Sequence, residues 1–280
     1  MAGLLSRTPA VIDPPVVERS RDHVSSPALE FAVESAAGVK IALAVGADRV
    51  ELCADLAATG GVTPTLAAVD AACAVGLPVH VLVRPRPGGF TYTDDELEAI
   101  ERDCLLAVRA GAAGVVVGML APDGGPHTEV LRRLVGVVRS EEPTAQVTFH
   151  RAFDAALASG VDPAAALETL SGAGIDRVLT SGGASDCMRG LEGLRRLVEL
   201  AREATAGLEI MAGGGVTAAL VPPLVGAGVH AVHASARGRR VTIDEAVASA
   251  IACRHRDAVT QLRIPPGRRE ARSPLDFTDS

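Results

Sequence analysis

Four short glycine-led segments, each followed by a Val- or Leu-rich run, recur along this 280-residue chain; four further apolar runs fall between them, with helical stretches in the gaps. Together these observations predict an α/β chain folded as a single (β/α)8 TIM barrel. The recurrent segments are "GADRVELC" from Gly46, "GAAGVVVG" from Gly111, "GIDRVLTSG" from Gly174 and "GVHAVHASA" from Gly228. Each reads as a helix-ending glycine, a short connection and a strand. They recur roughly every 60 residues, about twice the length of one βα unit.

The strands between them are "LEFAVES" (29–35), "VHVLVRP" (79–85), "QVTFHRAF" (146–153) and "LEIMAGGG" (208–215). The gaps carry helix signals. Asp94 to Ala110 follows Thr93, a suitable N-cap, and stops at Gly111; Pro163 to Ala173 is a second such stretch. An open doubly wound sheet is the alternative, but no G-x-G-x-x-G follows the first strand. Residues 1–27, rich in Pro, Ser and charge and without periodicity, read as a flexible leader. The barrel domain takes 28–258, and 259–280 reads as a disordered tail.

Composition narrows the function classes. The chain is 48% hydrophobic, enough for one large core. Net charge is −7, and basic residues cluster only near the C-terminus, which argues against a nucleic-acid partner. With no Trp, one Tyr and five Phe, stacking platforms for bases are also missing. Cys53, Cys73, Cys104, Cys187 and Cys253 are scattered without a C-x-x-C pair, as expected of a reducing compartment; the localisation read from this is cytoplasmic. The N-terminus lacks a secretory pattern. The apolar window Ile210–Val229 is interrupted by Gly213-Gly214-Gly215, Thr217 and Pro222-Pro223. It reads as strand, glycine turn and helix, so no membrane partner is expected.

In a barrel of this kind chemistry sits at the C-terminal ends of the strands, and polar residues two apart in a strand point inward. That rule gathers Glu51 and Cys53, Arg84, His150 with Arg151, and His233 with Ser235 at one rim. Buried charges of this kind are costly unless they pair or meet a ligand. Glu51 and Arg84 could form a buried ion pair, and Glu30, deep in the first strand, reads most simply as such a structural group. Arg49 and Arg177 recur at strand starts and are assigned to stability. The presence of several titratable groups at the same end of separate strands favours a site. In it Glu51 or His150 is the general base and His233 the acid. Arg84 and Arg151 clamp an anion, and Asp154 orients Arg151. Gly213, Gly214 and Gly215, with Ser235 and with Ser181 and Gly182 of "TSGG", suit a phosphate. This reading is a barrel enzyme acting on a small phosphorylated or carboxylated metabolite.

Metal signals are sparser. Cys53 alone lies at the rim; Cys73 and Cys104 fall in helices as small hydrophobes, and Cys187 with Met188 reads as loop packing. His150 and His233 could ligate a harder ion with Glu51, although no H-x-H or H-E-x-x-H spacing occurs.

The segments "GADRVELCADLAATGGVTPT" (46–65), "VRPRPGGFTYTDDE" (83–96), "VTFHRAFD" (147–154), "RVLTSGG" (177–183), "IMAGGGV" (210–216) and "VHASA" (232–236) resemble, in order and spacing, the CutC family of copper homeostasis proteins. The resemblance covers residues 29–255. It implies a single-domain cytoplasmic TIM barrel that forms homo-oligomers, and a role in copper handling with Cu(I) held by cysteines near strands one and two. Carried over, the rim set is Glu51, Arg84, His150, Arg151, Asp154 and His233, with Cys53 as the metal candidate. Ala32 and Val33 stand where family members often have a strand-one cysteine, so a two-thiolate Cu(I) clip is not expected.

Overall fold

The computed structural model describes residues 26–205, 207–238 and 242–263. The elements run β1 (Ala28–Val33), α1 (Ala36–Val45), β2 (Arg49–Leu52), the single turn α2 (Leu56–Thr59), α3 (Leu66–Cys73), β3 (Val79–Leu82), α4 (Asp94–Arg109), β4 (Gly114–Val117) and α5 (Thr128–Glu141). They continue with β5 (Gln146–Phe149), α6 (Ala152–Ala158), α7 (Pro163–Gly172), β6 (Arg177–Thr180), α8 (Leu191–Ala204), β7 (Glu209–Gly213), α9 (Val221–Gly226), β8 (Ala231–Ala234) and α10 (Glu245–Leu262). The eight strands pair in chain order, all parallel, and β8 closes on β1. This is the (β/α)8 barrel that the alternation of elements predicts.

Local chemistry explains the element ends. Gly46, Gly111, Gly174 and Gly228 all take left-handed φ values, 83°, 93°, 86° and 83°, which only glycine adopts freely. Thr93 and Glu96 form a reciprocal capping box at the start of α4, with acids in its first turn and Arg109 in its last. The strands are shorter than their apolar runs. Ser35 caps α1 by accepting from the Gly38 N–H, which ends β1 at Val33. "VTFHRAFD" divides into strand, turn and helix: β5 stops at Phe149, and Asp154 lies inside α6. Helix α10 runs to Leu262, four residues into the stretch read as a tail; the remainder of that stretch and residues 1–25 lie outside the described residues. At the foot of the barrel Arg263 donates to Ser26 Oγ at 2.6 Å, so the two ends of the described chain meet.

The apolar core is the layer between strands and helices, where Phe31, Val50, Val81, Val115, Phe149 and Ile210 are buried. Inside the barrel the packing is mixed. Cys53, Leu82 and Val116 form one small apolar cluster, and Leu179, Met211 and Ala231 another. Between them runs a chain of paired charges. Glu30 accepts from Arg49 Nε and contacts His233 Nδ1 at 2.7 Å, while Arg177 pairs with Glu209 at 2.7 Å and donates to Thr148 Oγ1. Arg49 and Arg177 therefore sit at the inner foot of the barrel as ion-pair residues.

Candidate functional site at the barrel mouth

The C-terminal ends of the strands surround a cavity of about 320 Å³, within the range of small-molecule sites. Glu51, Arg84, His150, Arg151 and His233 line it, together with Gly213, Gly214, Gly215 and Ser235. Asp154, Ser181 and Gly182 do not. Asp154 lies behind the wall: it pairs with Arg151 at 2.8 Å and accepts from Thr180 Oγ1, the Ser181 N–H and the Gly183 N–H. The polar groups of the "TSGG" turn are thereby turned inward. Ser181 Oγ accepts from Arg151 at 2.7 Å, and the Gly182 N–H goes to Thr180 Oγ1. The turn holds the guanidinium in place and presents few free amides.

On the cavity floor, Glu51 is 5% exposed and its Oε2 has no hydrogen-bond partner. Burial pushes its pKa up to about 7; the His233 charge opposes this and the Glu30 charge adds to it. His233 stands on Glu30. Burial alone would lower its pKa, but the Glu30 hydrogen bond and the Glu51 and Glu30 charges raise it above the usual imidazole value. Ligand atoms of Glu30, Glu51 and His233 lie within 4.8 Å of one another, the group of three among the described residues able to hold a metal ion.

The wall is built differently. Arg84 forms no ion pair with Glu51. It donates to the carbonyls of Thr59, Gly61 and Gly88 at 2.8–3.1 Å and lies 5.3 Å from the Phe90 ring centroid. Three carbonyl oxygens orient the guanidinium without neutralising it, so its charge is available to an anion. His150 is 6% exposed, with its ring tilted against Phe90 at 5.0 Å. Its Nδ1 accepts the Ala152 N–H at 3.1 Å, and its buried Nε2 has no partner. Burial, with the Arg84 charge adding, lowers its pKa to about 3.

Two glycines make room for these groups. A Cβ on Gly118, just past β4, would lie 2.1 Å from His150 Cε1, and one on Gly214 would lie 3.0 Å from Arg151 Nη1. Gly118→Ala should therefore displace the His150 ring and lose about 1–3 kcal/mol by overpacking. Thermal denaturation together with the ¹⁵N signals of His150 would check this; an unshifted imidazole would refute it.

Cys53 points inward on the predicted parity but does not line the cavity. It is fully buried under Leu56 against Leu82 and Val116, with Sγ 3.6 Å from the Val33 carbonyl, and burial raises its thiol pKa far above the usual range. Cys187 is buried while Met188 is 71% exposed, so the two sulfurs do not form a pair facing one ligand. Sequence reasoning missed Phe90, Arg237 and His80. Phe90 follows Gly88-Gly89 in a chain nearly without aromatics, which was the available signal. Arg237 joins the cavity lining directly after "HASA", and His80 is buried inside the barrel on β3.

The model of the CutC family matches residues 28–238, from the first residue of β1 to just beyond Arg237. This chain belongs to the CutC family. It is 41% identical to the human copper homeostasis protein cutC homolog over 76% of this chain and 74% of that one. It is 40% identical to the family protein CutC of Agrobacterium fabrum over 74% of this chain and 78% of that protein. The crystal structure of a CutC copper homeostasis protein from Streptococcus agalactiae superposes with a TM-score of 0.66 at 29% identity, covering 75% of this chain and 98% of that one. An aldolase, QR15, shares the fold at a TM-score of 0.56 and 16% identity, covering 83% of this chain and 95% of that one.

Proposed function

We propose that this CutC-family chain serves in copper homeostasis, the role for which its human and mouse relatives are named. The observation that carries this reading is the family match over 28–238, which takes in all eight strands and the cavity lining. Copper is here a cargo, and the donors decide its form. Cys53 is closed off from the cavity, and strand β1 carries Ala32 and Val33, so a two-thiolate Cu(I) clip does not fit. Carboxylate and imidazole donors suit Cu(II), and Glu51 with His233 supplies both at the cavity floor. Among the described residues no helix is long and apolar enough to cross a membrane.

Titration of the purified protein with Cu(II) against glycine as competing chelator tests the reading. Glu51→Gln should weaken binding by about tenfold or more, and Cys53→Ser should leave it unchanged. Absence of Cu(II) binding, or a loss confined to Cys53→Ser, would overturn it.

A further inference from the structure

The wall of the mouth opposite the Glu51–His233 floor carries chemistry that copper does not use. We propose that it is a binding site for a small metabolite that bears a carboxylate or phosphate next to a carbonyl, with Arg84 and Arg151 holding the anion and His150 donating its Nε2–H to the carbonyl oxygen. The proposal goes beyond the copper reading, since none of these three residues belongs to the Glu30–Glu51–His233 group.

The hydrogen-bond pattern fixes the state of His150. Because Nδ1 accepts the Ala152 N–H, the proton of the neutral ring resides on Nε2. That atom is buried, belongs to a residue lining the cavity, and has no partner in the protein. A buried donor left without an acceptor is destabilising, and a ligand oxygen would satisfy it. The lowered pKa agrees: at pH 7 the ring is a neutral donor, of the kind that polarises a carbonyl and stabilises an oxyanion developing on it.

The anion half rests on two guanidiniums held in different ways. Arg84 is 8% exposed, is held by three backbone carbonyls, the Phe90 face and Tyr92, and pairs with no carboxylate among the described residues. Its Nε is buried and has no hydrogen-bond partner. Arg151 is aimed by Asp154 and Ser181, and Gly214 leaves space beside its Nη1. Gly118 does the same for the His150 ring. Three residues that carry donors, each with its own support, thus line one cavity of about 320 Å³, which suits a ligand of metabolite size. Neighbouring anion and carbonyl groups are the ligand chemistry that uses all three.

The test uses chelator-treated protein, so its failure and that of the copper reading are separable. The probes are pyruvate and dihydroxyacetone phosphate, each ¹³C-labelled at the carbonyl, with lactate and inorganic phosphate as comparisons. Calorimetry should show one of the two carbonyl probes binding, and difference infrared spectra should show its C=O stretch moved to lower wavenumber. Arg151→Gln should weaken binding by about tenfold or more. His150→Phe should abolish the infrared shift, and His150→Gln, which retains a donor, should restore part of it. The proposal is overturned if neither carbonyl probe binds at millimolar concentration. It is equally overturned if the shift persists in His150→Phe, or if lactate or inorganic phosphate binds as tightly as the carbonyl probe.

Discussion

Glu30→Gln should lower the free energy of unfolding by about 3–5 kcal/mol at pH 7, the range for breaking a buried ion pair by removing one partner. Glu30 is fully buried in the barrel interior, and both its oxygens are engaged, one by Arg49 and the other by His233. Burial would raise its pKa, but the Arg49 charge and the His233 hydrogen bond outweigh that and hold it well below the usual carboxylate range. Gln keeps the shape and an acceptor oxygen for Arg49 but discards the charge, which leaves a guanidinium 8% exposed without its counter-ion. A second substitution, Arg49→Met, made together with Glu30→Gln, should recover much of the loss because no charge is then stranded. Urea denaturation with an unchanged slope is the measurement. A loss under about 1 kcal/mol for the single variant would show that the pair is solvated or dispensable.

Stability should fall steeply as the protein is acidified, and two histidines are responsible. Burial, as the leading cause, depresses the pKa of His80 and of His150 to about 3. The unfolded chain protonates both near 6.5, so their contribution is fully present above that pH and is lost as pH falls towards 3. At ~1.4 kcal/mol per unit, each could remove up to about 5 kcal/mol, comparable with the whole stability of a typical domain. Glu51 acts in the opposite sense. Its folded pKa of about 7 lies above the unfolded 4.5, so its contribution is present below 4.5 and is lost as pH rises through 7. Between pH 7 and 4.5 it partly offsets the histidines; below 4.5 it no longer does, and the contribution of Glu30, whose carboxyl is held low, begins to be lost as well, so the steepest decline is expected there. Unfolding free energies measured from pH 7 to 3.5 should show it, and His80→Phe should flatten the slope. An unchanged slope in that variant would assign the acid sensitivity elsewhere.

What the sequence disclosed depends on how local the cause is. The glycines at 46, 111, 174 and 228 mark helix ends because a left-handed φ is a property of one residue. Inward parity along β5 follows from the two-residue period of a strand, which is why His150, the next residue after it, is readable as a lumen residue. The loops resisted such reading. Sequence left open whether Arg84 pairs with Glu51 or serves an anion; the partners that hold it are carbonyls from two separate stretches, Thr59 with Gly61 and Gly88. Ser181 and Gly182 looked like anion-binding amides, yet Asp154 and Thr180, brought together only by the closed barrel, take up their polar groups. Cys53 reached the predicted face, and Leu56, folded over it from α2, then shut it away. Hydrogen bonds between distant loops have no period in sequence, so their outcome was not legible there.

The contact between Ser26 and Arg263 closes at the foot of the barrel what β8 and β1 close in the sheet. The ring of staves therefore has no structural first member: the order in which they are synthesised is one of several linear readings of the same circle. A circularly permuted gene, joined across that contact and opened in another turn at the foot, preserves every neighbour in the sheet. Ser26 and Arg263 lie on the side away from the cavity, so a join made between them is remote from the mouth.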